Sequence, residues 1–181
     1  MRKLTHAEIK EKRKDLSEID NYKRNPIYGL CDNIRSIFNV GAIFRASDGA
    51  FIEKLFLTGY TPHPPRKEIE KVALGATLSV PWEYSKNPLD SIYKLKNDHV
   101  NICVVELTDK SESLWSNEER RFPVCLVVGN EITGVSKDII DTADSALEIP
   151  MYGMKQSLNV SVAYGIAVYE ILRIIKTTSS C

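Results

Sequence analysis

The 181-residue sequence has no apolar run approaching the roughly 18 residues that cross a bilayer, so it reads as a protein without a membrane-spanning helix. Its first 24 residues are charged throughout and lack the apolar core of a secretory leader, and a cytoplasmic protein is expected. A dominant charge of one sign is missing too. Twenty-four basic residues face 24 acidic ones, and no uniformly basic coat grips nucleic acid through its phosphates. An RNA partner would need a local basic face, or two such faces joined in a dimer. Cysteine and histidine are scarce: Cys31, Cys103, Cys125 and Cys181, with His6, His63 and His99, none in a C-x-x-C or other close ligand spacing. No metal is therefore expected, and Cys103 and Cys125, set in apolar runs, read as small buried side chains. G-x-G-x-x-G is absent, and no glycine loop is followed by Lys-Ser/Thr, which excludes an ordinary dinucleotide fold or phosphate loop.

What is present is an alternation of apolar runs and amphipathic stretches. Residues 1–24 read as a charged helical arm carrying Arg2, Lys3, Lys10, Lys12, Arg13, Lys14, Lys23 and Arg24, with only a thin stripe of Leu4, Ile9, Leu16 and Ile19. It is either a solvated helix or an RNA-contacting arm. Strands are predicted over 54–58, 80–84, 101–107, 123–128 and 146–149, and a short apolar run occupies 27–31. Helices are predicted over 40–50, 68–74, 88–97 (with Pro88 in the first turn) and 136–142. The last segment is the clearest: Val160, Ala163, Tyr164, Ala167, Val168, Ile171, Leu172 and Ile175 recur at helical spacing and mark one broad apolar face. Strands alternating with helices imply one α/β domain over 26–181, with a mainly parallel sheet flanked by helices, behind an arm over 1–25.

Three polar clusters stand where strands hand over to loops or helices, the edge at which open α/β sheets bind ligands. The first runs from Asn33 through Arg35, Asn39, Gly41 and Arg45 to Ser47; Asn39 suits a helix cap and Gly41 a close backbone approach. In the second, Gly129-Asn130-Glu131 and Gly134 follow an apolar strand. The third leads from Ile149-Pro150-Met151 to Ser157-Leu158-Asn159-Val160-Ser161 at the start of the last helix. Ser157 could cap that helix, but one cap does not account for three polar residues, and the surplus suggests a binding surface.

In order and content the three clusters resemble the signature motifs of the SpoU (TrmH-like) family of RNA 2′-O-ribose methyltransferases, of the SPOUT superfamily. The matching residues are Asn39, Gly41 and Arg45; Gly129-Asn130-Glu131 and Gly134; and Ile149-Pro150-Met151 with Ser157 to Ser161. The resemblance covers the chain from about Pro26 to its end. It implies a SPOUT-type fold with a C-terminal deep trefoil knot, a homodimer, and S-adenosylmethionine (SAM) bound in the knot as methyl donor. It also implies cofactor binding around Leu107, Thr108, Gly129, Ile149, Met151, Ser157 and Leu158, and catalysis by Arg45, Asn39, Glu131 and Asn159. Arg45 would act electrostatically, since a guanidinium is a poor base. Glu131 would orient Arg45 or Asn39, and Asn159 would shape the pocket.

Many relatives carry a separate RNA-binding domain, so selection here is expected from the arm, the partner protomer and loops. Arg35, Arg66 and Lys67 are candidate RNA contacts, although Arg66 and Lys67 also suit a plain Pro-stiffened surface loop. Transfer RNA is preferred as substrate. Ribosomal RNA, base methylation and a catalytically silent SAM- or RNA-binding module are the competing readings.

Overall fold

The computed structural model describes residues 1–11, 13–116 and 120–178; Lys12 of the arm and Cys181 lie outside the described residues. Seven strands form one sheet: β1 (Asn25–Asp32), β2 (Ile52–Thr58), β3 (Trp82–Ser85), β4 (Asn101–Val105), β5 (Glu112–Ser113), β6 (Val124–Val128) and β7 (Ser145–Glu148). All neighbours are parallel, in the order β3-β2-β1-β6-β4-β7-β5. The helices are α1 (His6–Glu11), α2 (Ile37–Ala50), α3 (Lys67–Ala73), α4 (Ala76–Ser79), α5 (Pro88–Asn97), α6 (Lys137–Thr142) and α7 (Val160–Thr178).

A parallel sheet covered on both faces needs strands that are apolar at every position, and the central β6 is buried at each of its residues. Its side chains alternate. Val124, Leu126 and Val128 join the core beneath α2, α3 and α7, while Cys125 and Val127 join the core beneath α5 and α6. Burial of each such aliphatic side chain stabilises the fold by about 1.5–3 kcal/mol. The broad face of α7 divides accordingly. Tyr164, Ala167, Val168 and Ile171 are buried against the sheet and α2, whereas Val160, Leu172 and Ile175 are only partly covered. The Tyr164 hydroxyl is kept from being an orphan by Ser47 Oγ at 2.8 Å.

Three expectations change. The N-terminal segment is not one helix: α1 ends at Glu11, and a separate 3-10 turn spans Leu16–Asn21. Asp15 breaks the helix by accepting from the Ser17 N–H, and the turn has no buried residue to hold a longer helix against the body. The cap of α2 is Ser36, whose oxygen accepts from the Asn39 N–H, so α2 starts three residues before the expected 40 and Asn39 lies within its first turn. The cap of α7 is Asn159 rather than Ser157, since its Oδ1 accepts from the N–H groups of Ser161 and Val162. The short elements α4 and β5 were not expected; neither is long enough to show a period.

Candidate active site

The three polar clusters come together at the C-terminal ends of β1, β6 and β7. After β6 the chain makes a closed loop in which Asn130 and Gly134 exchange two backbone hydrogen bonds of 3.0 and 2.9 Å. The Asn130 Oδ1 accepts from Ile132 N–H at 2.8 Å and Thr133 N–H at 3.1 Å, filling the loop from inside. Two glycines make the closure sterically feasible. A Cβ on Gly129 would stand 2.2 Å from both Gly134 C and Val135 N. Gly134 itself has φ +71°, and a Cβ there would meet the Glu106 carboxylate. Glu106 in turn accepts from the Val135 N–H at 3.1 Å and the Leu107 N–H at 3.0 Å, locking this loop to the end of β4.

Glu131 leaves the loop and reaches the N-terminus of α2. Its carboxylate accepts from Arg35 N–H at 2.8 Å, Ser36 N–H at 3.0 Å and Asn39 Nδ2 at 2.8 Å. A carboxylate at a helix N-terminus is held by free N–H groups and by the helix dipole. Partial burial pushes its pKa up, but the hydrogen bonds from Arg35, Ser36 and Asn39 outweigh this and hold it below the ordinary 4.5. The other end of the Asn39 amide completes the relay: its Oδ1 accepts from Asn159 Nδ2 at 3.1 Å. Glu131, Asn39 and Asn159, from three separate clusters, are thus one hydrogen-bonded chain.

The folded pKa of Glu131 lies below its unfolded value, so its contribution is fully present above about pH 4.5 and is lost as pH falls through the lowered folded pKa. The amide chemical shifts of Arg35 and Ser36 should therefore stay constant through the neutral range and titrate together below pH 4.5. Loss of that transition in Glu131→Gln is the expected control. A wild-type midpoint above 4.5 contradicts the assignment.

Beside this chain lies a cavity of about 310 Å3, within the range of small-ligand and cofactor sites. Leu107, Gly129, Ile149, Met151, Ser157 and Leu158 line it, together with Glu131 and Asn159. The residues suit a ligand with both an apolar surface and a hydrogen-bonding edge. Val105, Leu147, Val160 and Ala163 add apolar walls, and the backbones of Ile149, Met151 and Leu158 make no hydrogen bond within the chain among the described residues. Such unpaired N–H and C=O groups at a cleft need an outside partner.

Three expected residues are placed differently. Thr108 does not line the cavity; its N–H donates to Ser111 Oγ at 3.3 Å and stays within its own loop. Arg45 is exposed on α2 and makes no hydrogen bond or ion pair among the described residues, so Glu131 orients Asn39 and not Arg45. Six residues beyond Asn39, it lies ~9 Å along the helix and ~120° around it. Asn39 touches the relay without lining the cavity. Arg35, Arg66 and Lys67 are all exposed. Glu106 and Gln156 line the cavity and were missed; Glu106 is an acidic residue directly after an apolar strand, which is the available signal. Cys31, Cys103 and Cys125 are buried thiols, and burial pushes Cys103 up to about 11 and raises Cys31 and Cys125 well above the ordinary thiol range, so none offers a thiolate. No three His, Cys, Asp or Glu side chains gather as a metal site among the described residues.

A wholly parallel sheet with a cofactor-sized cleft at its strand ends, bordered by a fixed Glu–Asn–Asn relay, defines a ligand-binding α/β domain of the kind that carries group-transfer chemistry. Residues 26–169 match the SpoU rRNA Methylase family, and the chain belongs to that family. It is 36% identical over 171 residues to the tRNA (guanosine(18)-2′-O)-methyltransferase of Aquifex aeolicus, covering 94% of this chain and 80% of that one. To the 23S rRNA (guanosine-2′-O-)-methyltransferase RlmB of Haemophilus influenzae it is 31% identical, covering 88% of this chain and 64% of the relative, so it spans under two thirds of that protein. The crystal structure of the Aquifex aeolicus TrmH/SpoU tRNA modifying enzyme superposes with a TM-score of 0.80 at 33% identity, covering 91% of this chain and 84% of that one. The AdoMet-bound rRNA methyltransferase from Sinorhizobium meliloti superposes with a TM-score of 0.78 at 26% identity, covering 87% and 60%.

Proposed function

We propose that this protein is a SAM-dependent methyltransferase acting on a ribose 2′-hydroxyl of RNA, with transfer RNA as the preferred substrate. The observation that carries the reading is the Glu131–Asn39–Asn159 relay at the edge of a cleft built for an adenosine-like ligand. It is supported by the chain's family and by the named activity of the Aquifex relative, which this chain matches over most of both lengths.

Backbone at Leu107, Gly129, Ile149, Met151 and Leu158, with Ser157, would hold the nucleoside of SAM. Thr108 would act indirectly, by shaping the loop below. Bound SAM supplies a methyl group already activated by its positive sulfur. The protein's own task is to align the acceptor oxygen and ease loss of its proton. Asn39 Oδ1 accepts from both Asn159 and Ser161, and the one amide hydrogen left over is placed to orient the hydroxyl oxygen. Glu131 is engaged by three donors and serves as a positioning group rather than a base. The solvent-facing guanidinium of Arg45 would meet the incoming RNA, either stabilising the developing alkoxide or holding a neighbouring phosphate that takes the proton. Arg35, Arg66 and Lys67 would contact phosphates, and the arm over residues 1–25 would extend that surface beyond the domain at 26–181.

We also infer a trefoil knot and a homodimer. β7 lies between β4 and β5, so the chain leaving β7 must pass the segment at 106–111 that joins those two strands, which is the arrangement a threaded loop requires. Partly covered Leu172 and Ile175 on α7 and exposed Val162 and Tyr169 suit a second copy. No helix among the described residues is long and apolar enough to cross a membrane, in keeping with a cytoplasmic enzyme.

The RNA class is tested by supplying labelled-methyl SAM with an unmodified transfer RNA transcript and, separately, a 23S ribosomal RNA fragment. Labelling of the transfer RNA at least about tenfold faster is expected, and a ribosomal preference overturns that choice. A silent binding module is tested with Arg45→Ala. Retained SAM binding with transfer lost supports the enzyme, while no transfer by either form supports the module.

A further inference from the structure

Tyr60 lies in the turn that follows β2, and the residue is 61% exposed. Both ends of the residue are nevertheless fixed. Its N–H donates to Asn33 Oδ1 at 3.2 Å, and its hydroxyl accepts from Asn130 Nδ2 at 2.5 Å. Asn130 is 6% exposed and also donates to the Asn33 carbonyl at 2.9 Å, so the anchor is itself rigid. Asn130 directly precedes Glu131, which puts the pinned ring one residue from the relay. A large aromatic surface left in water but held still is a preorganised surface for a flat partner.

We propose that Tyr60 is the platform on which a base of the acceptor RNA stacks, setting the adjoining ribose at Asn39 and Glu131. The inference rests on the RNA methyltransferase reading above and deepens it. A 2′-hydroxyl reaches a recessed cleft more readily from a nucleotide turned out of its stack, and the base so released needs a surface to stack on. Stacking on an aromatic side chain offsets the cost of unstacking, and it does so for any base, since every base has a π-face. Two aromatic neighbours on this side serve less well. Phe38, 59% exposed beside Asn39, has no polar anchor, while the rings of His63 and Tyr84 lie 4.3 Å apart and cover one another. Exposed Arg35, Arg66 and Lys67 supply phosphate contacts on the same strand-end side.

The test uses the full chain, an unmodified transfer RNA transcript as varied substrate, and two variants. Tyr60→Leu removes the ring, and Tyr60→Phe keeps it while losing the tie to Asn130. The proposal expects Tyr60→Leu to raise the KM for RNA about tenfold or more, with SAM affinity within about twofold of wild type. The salt dependence of RNA binding should keep its slope, because no phosphate contact is lost. Tyr60→Phe, which keeps the ring and loses its anchor, should raise the KM for RNA by an intermediate factor of about threefold. An unchanged KM in Tyr60→Leu, equal losses in both variants, or a parallel fall in SAM affinity overturns the platform, the last two by assigning Tyr60 to loop support. Wild-type protein that labels no RNA overturns the functional reading itself, whereas active wild type with an indifferent Tyr60→Leu overturns the platform alone.

Discussion

Gly129→Ala is expected to destabilise the fold by about 3 kcal/mol and to weaken SAM binding at least about 100-fold. The added Cβ would stand 2.2 Å from Gly134 C and Val135 N, and both are backbone atoms, so no side chain can rotate away. Relief requires opening the loop and with it the paired Asn130–Gly134 hydrogen bonds. Opening also displaces Glu131, one residue past Asn130, and parts the loop from Glu106. Cofactor site and relay are therefore expected to fail together. Urea unfolding and calorimetric SAM titration measure the two effects. A variant as stable as wild type with undiminished SAM affinity would show that the loop has slack that its packing denies.

Glu131→Gln separates binding from turnover. The carboxylate offers acceptors to three donors, whereas a glutamine has one oxygen and an NH2 that would face either the Arg35 N–H or the Ser36 and Asn39 hydrogens together. Either orientation leaves at least one donor at the start of α2 without its partner, and the charge-assisted hold on the Asn39 amide is lost. Misplacement of an aligning group by about 1 Å costs on the order of 100-fold in rate. The expected result is kcat reduced about 100-fold or more, with SAM affinity changed less than about fivefold, because the backbone proposed to hold the nucleoside is untouched. Asn39→Ala should give the same kcat loss, and the double variant should fall little further, since both act through one chain of hydrogen bonds. Additive losses would mean that Glu131 and Asn39 act separately.

The sequence was most legible where one physical requirement dominated. Residues 101–107 and 123–128 read as buried strands because a doubly covered sheet leaves no polar face; β6 fills the second from Val124, while β4 stops at Val105 and leaves Glu106 and Leu107 to the cavity. Residues 88–97 matched α5 because Pro88 sits at its start and Asn87 caps it. Reading failed where one residue type has two uses. Ser36 and Asn39, or Ser157 and Asn159, are equally able to cap a helix, and only the fold shows that Ser36 caps α2, freeing the Asn39 side chain, while Asn159 both caps α7 and closes the relay. The meeting of three clusters was expected from their position at strand ends. The Tyr60–Asn130 contact spans 70 residues and depends on β2 lying beside β1, a neighbour relation that no local pattern carries. Likewise β5, two residues long, had no periodicity to reveal it.

The most direct test of the central claim is the chemical position of the transferred methyl. Transfer RNA labelled by the wild-type protein from labelled-methyl SAM is digested to nucleosides and separated, alongside a reaction with Asn39→Ala. The account predicts label in 2′-O-methylnucleosides for wild type and its near-complete loss in the variant. Label on a base, or 2′-O-methylation undiminished in Asn39→Ala, would contradict it.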